Sequence, residues 1–363
     1  MAEEQRAPIG RPREAARNPT GHRRLLMRVS TAYYVHGRSR VEIADDLGIS
    51  RFKVARALEE ARDMGIVSIT VHSGAPMPEL SAQLAGHLRL RRASVVEVYG
   101  DAPSVRAAVG REAGAVLGQQ LEDGEVLGIG WGRTLNTMFD DIDYLPQVEI
   151  VQLSGRFGGD IENSAAQLTR RTATLAGASA ARVIRAPFLI DDARQANAAR
   201  RHPTIAAVVA DFARITTAVV GIGAVAPVPM SVAVASVPPR VAERLLSSGA
   251  VGEIQGSLFA ADGHIVSGNL WRHTMSITPA TLARVPRVIA AAAGVGKAQA
   301  AHAVCASGVP TDLVVDVELA NALLAMPPIG EVFHQERMSG ASIDHPTTRH
   351  DGRPDPDILG GEY

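Results

Sequence analysis

Short apolar runs that alternate with longer helical patterns constrain this chain more than any other feature. From Ala93 onward the runs fall at residues 95–98, 126–129, 148–153, 183–185, 218–222, 288–292 and 313–315. Between them, residues 105–121, 165–175 and 205–215 carry apolar side chains at helical spacing. Strands alternating with helices imply crossover connections, which lay the strands parallel and cover both faces of the sheet. The expected body is an α/β domain. In such sheets ligands sit outside the carboxyl ends of the strands, so the turns at those ends carry the functional argument.

Several of these turns share a composition suited to a polar ligand. The densest is Gly128-Ile129-Gly130-Trp131-Gly132-Arg133-Thr134-Leu135, where an apolar run stops at three glycines spaced two apart. A helix-like segment, residues 133–139, is expected to follow, leaving backbone N–H groups at its N-terminus for an anion. Trp131, Arg133 and Thr134 would add a stacking plane, a fork of donors and a hydroxyl. A tight turn with only a packing role is the other reading of this stretch. Further along come Ser154-Gly155-Arg156, Gly221-Ile222-Gly223, Gly252-Glu253, Gly294-Val295-Gly296-Lys297 and Asp316. A parallel sheet would bring these ends together. Lys53 and Lys297 are the only lysines of an arginine-rich chain, which marks both, because ammonium and guanidinium are not interchangeable.

The first part of the chain follows another pattern. Residues 1–21, rich in Arg, Pro, Ala and Glu without apolar periodicity, read as a flexible tail. Residues 22–73 read as a DNA-binding domain. Leu26, Val29 and Tyr33 recur at helical spacing, and Ser39 can cap a second helix carrying Val41, Ile43, Ala44 and Leu47. Gly48-Ile49-Ser50 makes a tight turn, with Ser50 placed to cap a third helix. In that helix Val54, Ala57, Leu58 and Ala61 fall on one side; Phe52, Lys53 and Arg56 fall broadly opposite, with Arg51 at the edge of the first turn. Two short helices joined through a glycine turn form a helix-turn-helix. Ser50, Arg51, Phe52, Lys53 and Arg56 are therefore the candidate DNA-binding residues, entering the major groove by the first turns of the recognition helix. A trihelical bundle with a protein-binding or merely solvated face is the alternative. Residues 66–71 alternate as a strand should, residues 74–79 read as a hinge, and residues 80–325 as the effector domain. Residues 326–363, rich in Pro, His and Asp, are expected to be a disordered tail.

Composition narrows the classes. A length of 363 residues suggests two or three domains. No apolar stretch approaches the ~20 residues of a membrane span, and the Arg- and Pro-containing start lacks the apolar core of a signal peptide, so a cytoplasmic protein without a membrane partner is expected. The single cysteine, Cys305, excludes an internal disulfide framework. Residues 1–72 hold 13 Arg and Lys against 9 Asp and Glu, while the whole chain is at −1, so a mildly basic head precedes an acidic body.

The common chemical motifs are missing. A nicotinamide site would want G-x-G-x-x-G and an acidic residue after the next strand; here the spacing is G-x-G-x-G and the next run ends in Leu153-Ser154. Gly294-Val295-Gly296-Lys297 is too short for a P-loop and is followed by Ala298, with no hydroxyl for magnesium, although its lysine can still hold a phosphate or a sugar hydroxyl. No G-x-S-x-G elbow occurs. His302 and Cys305 read as a core or neutral surface pair, and His202, His264 and His273 lack ligand spacing, so neither catalytic residues nor metal nor cofactor is expected. Asp191-Asp192 is left open between a ligand-facing and a solvated loop.

With these residues in view the chain resembles the SorC-type sugar-binding transcriptional regulators. The text Glu42-Ile43-Ala44, Leu47-Gly48-Ile49-Ser50-Arg51, Val54, Arg56 and Gly65-Ile66-Val67 is similar to the family's DNA-binding head. Residues 128–135, 151–155, 220–223, 251–254, 293–297 and 313–316 are similar to its effector-domain signatures, in the same order. The resemblance implies a winged-helix-like head joined to a Rossmann-like effector domain related to phosphosugar isomerases, binding a sugar or sugar phosphate and acting as a homodimer or homotetramer on a double-stranded DNA operator. Carried over, Gly130, Gly132, Arg133 and Thr134 would line the ligand's phosphate or hydroxyl end, and Arg156, Glu253, Lys297 and Asp316 would supply charged contacts. This chain departs in having Glu253 where many members have Asp, Val317 where an acidic residue is common, and the tail after residue 325. The expected function is a DNA-binding regulator controlled by a sugar or sugar-phosphate effector, not an enzyme. A sugar-phosphate isomerase-like enzyme with an attached head is the main alternative, and a protein-contact module a third.

Overall fold

The computed structural model describes residues 19–67, 70–156, 160–178, 181–226, 231–235, 237, 239–266 and 273–330. The chain divides after Ile69 into two compact units. The outermost residues of both expected tails, 1–18 and 331–363, lie outside the described residues.

In the first unit, α1 (Pro19–Ser30) passes through a π-helical turn, Thr31–Val35, and is followed by α2 (Arg40–Leu47) and α3 (Arg51–Asp63). The helix starts have local causes. The Ser39 hydroxyl accepts from the Glu42 N–H while the Glu42 carboxylate accepts from the Ser39 N–H, a reciprocal capping box. The Ser50 hydroxyl accepts from the Lys53 N–H at 3.2 Å and starts α3. Leu26, Val29, Ile43, Ala44, Val54, Ala57, Leu58 and Ala61 form the core between the three helices. His22 Nε2 and the Glu60 carboxylate, 2.6 Å apart, tie α1 to α3. All regular structure among the described residues of this unit is helical. The strand expected over residues 66–71 is displaced: Ile66 and Val67 pack on the helical core, and residues 68–69 lie outside the described ones.

The second unit runs β1 (Thr70–Pro76), α4 (Pro78–His87), β2 (Arg92–Gly100), α5 (Ala102–Gln120), β3 (Val126–Ile129), β4 (Glu149–Gln152), α6 (Asp160–Leu175), β5 (Ala181–Arg182), α7 (Ala193–Arg201), α8 (Pro203–Asp211) and β6 (Thr217–Gly221). It continues with β7 (Gly223–Ala224), α9 (Val232–Ala235), α10 (Pro239–Leu246), β8 (Gly252–Ile254), β9 (Ser257–Phe259), α11 (Pro279–Leu282), β10 (Arg287–Ala292), α12 (Ala298–Ala306), β11 (Asp312–Asp316) and α13 (Val317–Leu324). Two expected boundaries shift. Residues 74–79, read as a hinge, are the end of β1 and the start of α4, and β1 pairs antiparallel with β2. Met326 and Ile329, placed at the start of the tail, are bound to the domain: the Ile329 N–H donates to the His87 carbonyl at 3.1 Å, and Arg89 Nε donates to the Ile329 carbonyl at 2.8 Å.

The main sheet has the order β1-β2-β11-β10-β6-β3-β4-β5. From β2 to β5 every neighbouring pair is parallel. The strands read as continuous apolar runs because both faces are covered. Ala218, Val220, Val288, Ala290, Leu313 and Val315 enter one core, and Val219, Ile289, Ala291 and Val314 enter the other. From β3 the chain moves outward to β4 and β5; from its neighbour β6 it moves the opposite way, to β10 and β11. The carboxyl ends of β3 and β6 therefore flank a topological switch point, where an open parallel sheet leaves a crevice. A small antiparallel sheet, β7-β8-β9, is inserted between β6 and β10.

Candidate functional site

The candidate recognition face of the helical unit is built by α3. With Val54, Ala57, Leu58 and Ala61 spent on the core, the 3.6-residue period leaves Ser50, Arg51, Phe52, Lys53 and Arg56 exposed. Phe52 is 86% exposed, an unusual position for a large aromatic side chain in a folded unit. Arg51, Lys53 and Arg56 supply cationic donors around it.

A second site lies at the switch point. A small cavity of about 20 Å³ is lined by Trp131, Gly132, Arg133 and Thr134 from the turn after β3, Gly221, Ile222 and Gly223 from the end of β6, Glu253 from β8, and Lys297. Three of these four stretches meet because parallel pairing aligns the carboxyl ends of β3, β6 and β10, and the small antiparallel sheet inserted after β6 adds Glu253. A wider cavity of about 430 Å³ lies elsewhere, lined largely by apolar residues of α8 and residues 274–285 together with Arg200 and Arg284. The smaller one holds the convergent buried charges that orient a polar ligand, and it is the better candidate despite its size.

Lys297 ends a short 3₁₀ turn, Val295–Lys297, and its ammonium donates to the Ile222 carbonyl at 2.7 Å. Burial lowers its pKa to about 8, with repulsion from Arg133 adding and attraction to Glu253 opposing. Glu253 is buried; its carboxylate accepts from the Gly256 N–H at 2.5 Å and from the Ser231 hydroxyl at 3.0 Å. Burial raises its pKa to about 7, against those two hydrogen bonds and the Lys297 charge. Asp316 is placed behind Lys297: its carboxylate accepts from Gly294 N–H at 2.6 Å and, as the cap of α13, from Leu319 N–H at 3.0 Å. It shapes the Gly294 turn and is not among the cavity-lining residues.

The turn after β3 differs from the strand-into-helix geometry expected of it. Only a three-residue 3₁₀ turn, Leu135–Thr137, follows, so the dipole argument for an anion cradle does not hold there. Gly130 has a different cause. A Cβ there would lie 2.8 Å from the Val219 carbonyl oxygen and 2.4 Å from Gln255 Nε2, so only glycine allows this approach. Trp131 is buried edge-on against Phe188, with ring centroids 6.2 Å apart. Thr134 is buried, whereas the Arg133 side chain is exposed at the cavity's edge. Arg156 is exposed, extends β4 by a bridge to Pro187, and does not line the cavity.

Two residues at this site carried no motif. Arg106, on α5, is near enough to Arg133 and Lys297 to interact electrostatically; burial and then Arg133 lower its pKa. Ser231 holds Glu253 and lies in a Pro-rich loop whose composition marks it as irregular but not as ligand-facing. Elsewhere, Asp192 caps α7 through the Arg194 N–H, and burial pushes the Cys305 thiol up to about 12, which makes it inert. Among the described residues no group of three His, Cys, Asp or Glu could hold a metal ion.

The fold agrees with what known proteins show. The family model Sugar-bind, described as "Putative sugar-binding domain", matches residues 75–325. The chain belongs to the SorC-type family of sugar-binding transcriptional regulators. Its relatives include the transcriptional regulator LsrR of Klebsiella pneumoniae, 28% identical over 309 residues that cover 83% of this chain and 93% of that protein. The uncharacterized transcriptional regulator YjhU of Escherichia coli K12 is 27% identical, covering 83% of this chain and 94% of that protein. Among solved structures, the full-length sorbitol operon regulator SorC from Klebsiella pneumoniae superposes with a TM-score of 0.63 at 24% identity, over 83% of this chain and 98% of that one. That likeness concerns the fold. No helix among the described residues of this SorC-type regulator is long and apolar enough to cross a membrane.

Proposed function

We propose that the cavity at the β3–β6 switch point is the effector site, and that its occupancy controls operator binding by α3. The observation that carries this reading is the convergence of Lys297, Arg133, Arg106 and Glu253 at one crevice. Lys297 acts on a carboxylate whose own charge is disfavoured by burial, and Arg133 and Arg106 are near enough to act on Lys297. Such a site favours an anionic, hydroxylated ligand: a phosphate on the cations and hydroxyls on the remaining polar groups. Of the residues read from the sequence, Gly132, Arg133, Thr134, Glu253 and Lys297 touch the ligand; Gly130 and Asp316 shape the turns, and Arg156 lies apart.

As it stands the cavity admits one water-sized group, so a sugar phosphate binds only a widened form. Ligand binding thereby selects between two states of the effector domain. In a homodimer or homotetramer, that choice sets whether paired recognition helices match two half-sites about one DNA turn, ~34 Å, apart. Titration of the full chain with sugars and their phosphates, with and without operator DNA, tests this. A ligand must change operator affinity, and Arg133→Ala with Lys297→Met must abolish its binding; unaltered ligand affinity in that double variant would move the site.

An enzymatic reading draws on one observation, the Glu253 carboxyl poised at about 7 beside Lys297. Against it, that carboxylate already accepts two hydrogen bonds that hold local structure. Incubation with aldose and ketose phosphates separates the readings, since a sensor binds without turnover.

A further inference from the structure

The hairpin between β8 and β9 closes on the pair Ile254↔Ser257, which leaves Gln255 and Gly256 as a two-residue turn. Both have positive φ, 51° and 84°. That turn type prefers Asn, Asp or Gly at its first position, and glutamine is a poor fit there. Gln255 and Arg89 are the only non-glycine residues with positive φ among those described. The strain is accompanied by a second cost. The Gln255 side chain is 2% exposed, and neither its Nε2 nor its Oε1 has a hydrogen-bond partner among the described residues.

The surroundings hold this amide in place. The Glu253 carboxylate binds the Gly256 N–H, and a Cβ on Gly256 would lie 2.5 Å from Phe188 Cζ, the ring that packs on Trp131. The Ser276 hydroxyl donates to the Gln255 carbonyl at 2.9 Å. Gln255 does not line the cavity as it stands; its amide rests on Gly130, one residue before the Trp131 wall. A strained backbone and a buried amide with both ends unpaired are features that persist where they serve a function.

We propose that Gln255 recognises the hydroxylated part of the effector: its amide N–H donates to one hydroxyl and its amide oxygen accepts from the neighbouring one. Adjacent hydroxyls of a sugar or polyol present this donor–acceptor pair at the spacing of a carboxamide. The inference rests on the effector-site reading above and adds a division of labour to it: Lys297 and the arginines hold the anionic end, and Gln255 reads the polyol.

Four probes test it on the full chain: ribose 5-phosphate, glucose 6-phosphate, fructose 6-phosphate and inorganic phosphate. Calorimetric affinities and ligand-free melting temperatures would be compared for the parent, Gln255→Gly, Gln255→Asn and Lys297→Met. Gln255→Gly and Gln255→Asn relieve the turn, so both should melt a few degrees above the parent. Their affinity for the sugar phosphate that binds should fall roughly 10- to 100-fold, with inorganic phosphate unaffected. Lys297→Met should weaken both kinds of probe. If Gln255→Gly melts lower than the parent and binds the sugar phosphate equally well, Gln255 is a structural residue and the proposal fails alone. If Lys297→Met also leaves every affinity intact, or if none of the probes binds the parent, the effector-site reading fails and takes this inference with it.

Discussion

The recognition face of α3 and the cavity at the switch point are opposite solutions to presenting charge. On α3 the candidate DNA-binding side chains span seven consecutive positions, point into solvent and are uncoupled from the core beneath them. At the cavity, Lys297 and Glu253 are buried, each perturbs the other, and each also holds main-chain groups. Function and stability should therefore separate in the first region and be linked in the second.

The largest effect expected is on DNA. Lys53→Ala with Arg56→Ala should lower operator affinity at least ~100-fold at fixed salt, since each lost groove contact is worth about 1–3 kcal/mol. The melting temperature should not move, because both side chains are exposed. A fall in stability, or operator binding unchanged in a mobility-shift titration, would break the contrast.

Next in size is Lys297→Met, with effector affinity falling roughly 10- to 100-fold, the cost of a charge-assisted contact. Its stability should depend on pH. Below about pH 6, Glu253 is protonated and loss of its cation is tolerated; between about pH 7 and 8, where Glu253 is ionised and the parent's Lys297 still charged, the variant leaves a carboxylate buried without a counter-charge and should melt below the parent. Equal melting differences at pH 5.5 and 7.5 would show the two groups to be uncoupled.

Glu253→Gln isolates the carboxyl. Its folded-state pKa is raised from 4.5 to about 7, so its stabilising share is complete below 4.5 and is lost as pH rises through 7. Lys297, lowered to about 8, stays protonated over most of that window and adds little slope. Between pH 5 and 7.5 the parent should lose several degrees of melting temperature that the variant keeps. Parallel curves would refute the assignment.

The smallest effect is Ser50→Ala, which removes the α3 cap and should cost about 1 kcal/mol in denaturant unfolding of the helical unit. The switch-point ligand affinity should be untouched by it.

How much was legible in the sequence follows the same division. The helix-turn-helix could be read residue by residue because its causes are local: a hydroxyl three residues before the N–H it caps, and apolar side chains at a period of 3.6. Most strands of the body were legible for a similar reason, as apolar runs buried on both faces, but the run expected at residues 183–185 lies just after β5, whose two residues are not buried. The small sheet that carries Glu253 was not, since its strands are two or three residues long and have no periodicity to detect. The helix expected after Gly132 was misread: residues 133–139 have helical spacing, but α5 packs so closely on this segment that only one 3₁₀ turn forms. A Cβ on Gly110 would lie 2.1 Å from the Thr134 carbonyl oxygen.

The sequence by itself determined the two-part organisation, the parallel sheet, the recognition helix and the glycine turns at the strand ends. These depend on spacings within a few residues and on which side chains avoid water. Only the tertiary structure decided that Asp316 shapes a turn, that Arg156 stands apart, that Arg106 acts on Lys297 and Ser231 holds Glu253, and that Gln255 is buried against Gly130. Those outcomes depend on which strand ends become neighbours across the switch point. The order β6-β3 is set by the packing of the whole sheet, and no residue announces it in advance.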